Sequence, residues 1–250
     1  MKIFKMLLYF TCLFIISKAR GQIIPAKLYL GTVTYTKQSK ITDTEAFNKT
    51  SSLFVKDMID SLKNQFTRLK TQLGEDTTEI SNSLAPFENL ILEELFKEGI
   101  LETNIDEFQK DKIVSFVIDN NGNKRERFNF NYTDHLVYNS FNSEEIENYF
   151  DREEIISFKE YKAENKLINS FNCFKVTYVY REQFDDVEFN MPEMIMEREL
   201  WVTDKIIAPF HSIIRNQKIL SQYYPLEITE KMHKVNGFET KYSLESINIK

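Results

Sequence analysis

The chain has 250 residues, 32 lysines and arginines against 38 aspartates and glutamates, and a net charge of −6. An acidic chain with no basic stripe is a poor partner for nucleic acid, whose phosphates need clustered cations. Its six glycines stand far apart, which excludes a Rossmann loop, a phosphate-binding loop and a G-x-S-x-G elbow.

The N-terminus reads MKIFKMLLYFTCLFIISKARG. Lys2 and Lys5 precede an apolar run from Met6 to Ile16, and Ala19-Arg20-Gly21 is a small-x-small cleavage pattern. Residues 1–21 therefore read as a secretory signal peptide. The run is short of the roughly 20 residues that span a bilayer, which weighs against the alternative of an uncleaved anchor. Cys12 follows Tyr9-Phe10-Thr11, the wrong neighbours for a lipidated cysteine, so export without a lipid anchor is expected. Residues 22–250 then make one α+β domain with no transmembrane segment. Loss of Lys2, Lys5, Lys18 and Arg20 moves the net charge from −6 to −10.

Ala26–Tyr35 is rich in β-branched and aromatic residues and reads as the first strand, with Thr36–Lys40 as a loop. Thr42-x-x-Glu45 has the form of a capping box. Phe54, Met58, Leu62, Phe66, Leu69 and Leu73 follow at steps of three or four, which predicts a helix ending near Leu73 with Gly74 as its stop. Such a helix either packs on the protein's own sheet or lids a concave one. Ser83 and Pro86 open a second helix, with Gly99 past its end.

From Lys112 the pattern turns to β. Ile113–Ile118 and Arg125–Phe130 flank Asn121-Gly122, a type I′ hairpin signal. Asp119, Asn120, Asn121 and Asn123 hint at calcium, but the glycine comes too early for an EF-type loop and turn chemistry accounts for these residues. His135–Phe141 and Glu154–Tyr161 read as short strands. Leu167–Arg181 alternates, with Phe174, Val176, Tyr178 and Tyr180 on one face. After the acidic loop Glu182–Pro192, Met196, Arg198, Leu200 and Val202 share one face of a strand, and Glu197, Glu199, Trp201 and Thr203 the other. His211–Leu220, Tyr223–Met232 and Phe238–Ile249 complete the set, the last with a bulge between Leu244 and Ile247. About ten strands on short turns indicate a large curved antiparallel sheet, half-barrel-like, with helices inserted after the first strand.

His135, His211 and His233 have no ligand spacing, so neither a metal nor a cofactor is expected. Cys173, alone after cleavage, reads as a small buried side chain, with a reactive thiol as the alternative. Glu197 and Glu199 form either a solvated strand face or the acid/base pair of a hydrolase. Trp201 is either a core anchor or the wall of an apolar pocket. With Phe174, Tyr178 and Phe66 it makes the candidate ligand-binding set, and no catalytic residue is assigned.

The stretches Lys166–Tyr180 (KLINSFNCFKVTYVY), Glu199–Ile206 (ELWVTDKI) and Tyr224–Ile228 (YPLEI) resemble the C-terminal pattern of the GLPGLI-type envelope proteins. In that pattern a K-x-I-x-G-[FY]-x-C-x-K strand precedes a W-[YV]-T-x-x-I strand and a proline-led one. Ser170 stands where the family has glycine, and the naming motif is absent, so a wider relative is the match. The resemblance implies an exported protein of a Gram-negative envelope with a half-barrel sheet, and it transfers no catalytic residue. The expected function is a non-catalytic module that holds an apolar ligand or an envelope partner protein between the sheet and the Phe54–Leu73 helix. The alternatives are an assembly partner without a pocket, and a hydrolase built on Glu197 and Glu199.

Overall fold

A computed structural model describes residues 29–73, 87–183 and 193–250. The expected signal peptide, the Ser83–Pro86 helix start and most of the Glu182–Pro192 loop lie outside the described residues.

Ten strands among the described residues form one antiparallel sheet: β1 (Gly31–Ile41), β2 (Gly99–Phe108), β3 (Lys112–Asp119), β4 (Lys124–Asn131), β5 (Val137–Asn139), β6 (Glu153–Ile168), β7 (Phe171–Glu182), β8 (Ile195–Thr203), β9 (Tyr224–Met232) and β10 (Phe238–Ile249). The order is β5-β4-β3-β2-β1-β10-β9-β8-β7-β6, a meander whose two ends are neighbours in sequence but not in the sheet. The sheet is strongly curled. Asp106 of β2 and Glu153 of β6 lie six strand positions apart, roughly 29 Å on a flat sheet at 4.8 Å per strand. Yet Asp106 binds the Ser212 amide at 3.1 Å and Glu153 binds the Arg215 amide at 3.0 Å. Three residues of chain reach at most about 11 Å, so the two halves must face each other.

The segment between β8 and β9, residues 204–223, fills the space they enclose. Ile206, Ala208, Phe210, His211, Ile214, Ile219 and Leu220 are all buried. Phe210 stacks between Phe130 of β4 (5.9 Å) and Tyr149 (5.7 Å). The His211 ring lies between Tyr35 of β1 (5.1 Å) and Tyr224 of β9 (5.2 Å). The sequence suggests a strand over His211–Leu220. It is instead an irregular plug ending in the short helix α3 (Gln217–Leu220), because a short apolar run does not tell a buried strand from a buried coil.

α1 (Thr44–Leu73) follows β1, and α2 (Phe87–Leu95) precedes β2. The N-cap of α1 is Asp43, one residue past the expected Thr42: its Oδ1 accepts the Ala46 amide at 3.0 Å. Gly237 fixes the entry. Its φ is +76°, its carbonyl accepts the Thr42 amide at 2.7 Å, and a Cβ there would lie 2.2 Å from the Asp43 oxygen. α1 thus packs at one end of the sheet, where Phe54, Val55, Ile59, Phe96, Val235 and Phe238 make a second core.

Three further differences have local causes. β2 (GILETNIDEF) is a strand that the apolar pattern misses, because its inward residues Asn104 and Asp106 are polar. Asn169, with φ of 51°, turns the chain between β6 and β7, so the stretch beginning at Lys166 is a hairpin and not one strand. The β3–β4 turn is a three-residue loop, not type I′: Gly122 alone has positive φ (80°), and its amide binds the Asp119 carbonyl at 2.9 Å. The Asp119 carboxylate accepts the Asn121 and Asn123 amides, both at 2.9 Å, which accounts for the polar residues there. The bulge in β10 falls as expected, at Glu245 opposite Thr34 and Tyr35.

Candidate functional site

The inside of the sheet has two unlike halves. In the first, Val33, Phe108, Ile113, Val176, Leu200, Val202, Leu226 and Ile228 pack against the plug. Polar groups in it serve the plug. Asp106 accepts both the amide and the hydroxyl of Ser212 at 3.1 Å. Burial pushes its carboxyl up to about 6, and those bonds pull the other way. His211 Nδ1 accepts the Ile213 amide at 3.1 Å, and burial pulls this histidine down to about 3, so it is neutral.

The second half is charged. Arg198, on the inward face of β8, donates to Glu153 of β6, to Glu230 of β9 at 2.5 Å and to the Tyr178 hydroxyl at 2.9 Å. Tyr178 donates to Glu153 and Tyr180 to Glu230, both at 3.0 Å. The Arg198 side chain is 8% exposed and that of Glu153 is 3%. Burial pushes the Glu230 carboxyl up, but Arg198 outweighs it and holds the group below its usual range. Glu153 also accepts the Arg215 amide and, through its carbonyl, the Asn216 side chain at 3.0 Å. One buried ionic group thus joins three strands to the end of the plug.

Beside this network lies a cavity of about 640 Å³. Its walls come from β1 (Lys37), β2 (Glu102, Asn104), β4 (Arg125, Glu126, Arg127, Phe128), Arg152 just before β6, the first residue of β6 (Glu153), β7 (Tyr180, Glu182) and the plug (Ile213, Arg215). A bulge in β4 places Arg127 as an extra residue between the pairs Phe116–Glu126 and Ser115–Phe128, a device that re-aims a side chain. Arg127 lies 3.9 Å from Glu102 and Lys37 lies 3.5 Å from the same carboxylate. Phe141, 97% exposed, stands at the mouth. No α1 residue lines this cavity, so it is not held between the sheet and the Phe54–Leu73 helix.

The four candidate residues are not brought together. Tyr178 is buried in the ionic network. Phe174 packs edge-on against Tyr223 at 5.2 Å. Phe66 is on α1 and 38% exposed. Trp201 pairs across the strands with Lys175 and Glu227, which puts it on the outer face of the sheet. There the Lys166 ammonium lies 5.1 Å from its ring and binds Glu227 at 2.8 Å. Glu197 and Glu199 share that outer face, away from the cavity. Cys173 is buried, and burial pushes its thiol up to about 11. The cavity arginines went unread because they are scattered from Arg125 to Arg215; only strand register gathers them.

Among the described residues there is no group of histidine, cysteine and acidic side chains that could hold a metal ion, and no helix is long and apolar enough to cross a membrane.

No family model and no curated protein matches this chain. Among solved structures, similarity is found to lipoprotein LppX of Mycobacterium tuberculosis, with 7% identity, a TM-score of 0.30 and coverage of 88% of this chain and 90% of that one. LprF from Mycobacterium bovis gives 8% identity, a TM-score of 0.28 and coverage of 88% and 89%. Values of this size define neither a shared fold nor a shared ligand.

Proposed function

We propose that this chain is an exported, non-catalytic binding module, a wider relative of the GLPGLI-type envelope proteins, which takes a small ligand into the concave side of its sheet. The observation that carries this reading is the 640 Å³ cavity, within the size range of small-molecule sites and walled by both halves of the sheet and the plug. A wholly apolar ligand fits it poorly. The apolar half of the interior is taken by the protein's own Phe210, Ile214 and Leu220, and the open half is charged. The ligand is therefore polar at one end, with Phe128, Ile213 and the exposed Phe141 offering it limited apolar surface. The second reading, an assembly partner, draws on the exposed Leu53, Leu90 and Leu95 of the two helices.

Native mass spectrometry of protein isolated from envelopes under mild conditions tests the choice. One bound small molecule per chain is expected. Ligand-free protein that cross-links to a single protein neighbour in intact cells would overturn the binding module in favour of the assembly partner.

A further inference from the structure

The chain has eight arginines, and five of them, Arg125, Arg127, Arg152, Arg198 and Arg215, line this cavity of an otherwise acidic protein. Their placement is costly. Arg127 needs a bulge in β4 to reach the cavity. Arg152 and Arg215 stand near enough to oppose each other: the Arg152 guanidinium is pulled down by burial first and by Arg215 next.

The same wall carries five carboxylates, and four of them are engaged. Glu126 accepts the Asn129 side-chain amide at 2.5 Å. Glu153 and Glu230 hold Arg198, and Glu102 is shared by Lys37 and Arg127. Glu182 stands beside Arg215, and burial pushes its carboxyl up toward the neutral form. Arg215 itself lies over the Tyr149 ring at 5.6 Å, a contact that helps to place its guanidinium. Lys37 and five arginines stand against five carboxylates, so the wall keeps a slight excess of cations in a cavity built by several strands. Planar guanidinium groups that converge from different elements suit the oxygens of a phosphate or carboxylate.

Resting on the binding-module reading above, we infer that the cavity is an anion site: Arg127, Arg152 and Arg215 grip the phosphate or carboxylate head of a small organic ligand, whose body lies along Phe128 toward the mouth at Phe141.

Isothermal titration of the full mature chain tests this with phenyl phosphate, benzoate, 1-palmitoyl lysophosphatidate and 1-palmitoyl lysophosphatidylcholine. The two anionic aromatics bind at one site per chain, and more weakly as salt is raised. Arg215→Gln and Arg127→Gln each lower that affinity by about tenfold to a hundredfold, as expected for a hydrogen bond to a charged group. Lys205→Gln, remote from the cavity and 72% exposed at its side chain, changes nothing. Thermal melts identify any variant that fails to fold, and the salt dependence of the unaltered chain still decides the question. Lysophosphatidate binding tighter than phenyl phosphate assigns the head to a lipid, and the reverse assigns it to a soluble ester. Equal binding of lysophosphatidylcholine, indifferent to salt and to both arginine variants, would overturn the anion site and leave the binding module standing. Binding of no probe at all would overturn the anion site too.

Discussion

The two halves of the sheet's interior solve the same problem in opposite ways. Both are concave surfaces that a curled sheet must cover. In one the chain covers itself: residues 204–223 bring Phe210, His211 and Ile214 into a fully packed core. In the other, one buried ion network is satisfied and a charged hollow is left beside it. A folded chain gains stability from the first arrangement. It gains little from gathering so many charged groups around a hollow, so the second is where function should be sought.

The sharpest break between the halves is removal of the ion at their border. Arg198→Met strands Glu153 and Glu230 without their partner, and a loss of about 3–5 kcal/mol is expected in urea unfolding. A loss below about 1 kcal/mol would mean that the network is solvated and that the border is not a buried one.

Phe210→Ala empties the packed half. A cost of about 3–5 kcal/mol is expected, since Phe130 and Tyr149 lose the ring between them. It should also open the protein to Nile red, an uncharged dye that the unaltered chain excludes. Uptake by the unaltered chain would show that the plug leaves room.

Acid sharpens the comparison further. Asp106 titrates near 6 when folded against 3.8 as a free side chain, so between those values the folded state keeps a proton that the unfolded chain has lost, and stability falls as pH rises. His211 titrates near 3 against 6.5, so the unfolded chain is the one protonated, and stability rises with pH. From about pH 4 to 6 the slopes oppose each other at about 1.4 kcal/mol per pH unit each, and these two groups together give a flat profile. Asp106→Asn should leave a chain that loses stability on acidification from pH 6 to 4. His211→Gln should reverse the sign. A profile indifferent to both would place the two groups in water.

Phe141→Ala, at the mouth, gives the smallest effect: within about 0.5 kcal/mol on melting, because the ring is 97% exposed.

Much of the sheet was legible where burial follows alternation. Val33 and Tyr35, and Met196 to Val202, announce their faces, and the phase change in β10 announces its bulge. β2 was not legible, because a strand that presents Glu102, Asn104 and Asp106 to the interior looks like a polar loop. The plug was misread for the opposite reason, being apolar without a period. The cavity was the least legible part. Its arginines lie on β4, just before β6, on β8 and on the plug, and no local window holds more than two of them. Trp201, the most conspicuous residue in the sequence, belongs to the outer face, where it supports the Lys166–Glu227 pair. Residue rarity marked a fold feature there, and a scattered set of common residues marked the cavity.

The most direct test of the divided interior is a crystal structure of the chain soaked with phenyl phosphate. The phosphate is expected between Arg127, Arg152 and Arg215, with the ring toward Phe128 and the 204–223 segment unmoved. A ring seated among Val176, Leu200 and Ile228 in place of Phe210 and Ile214 would contradict it, since the apolar half would then be the binding site.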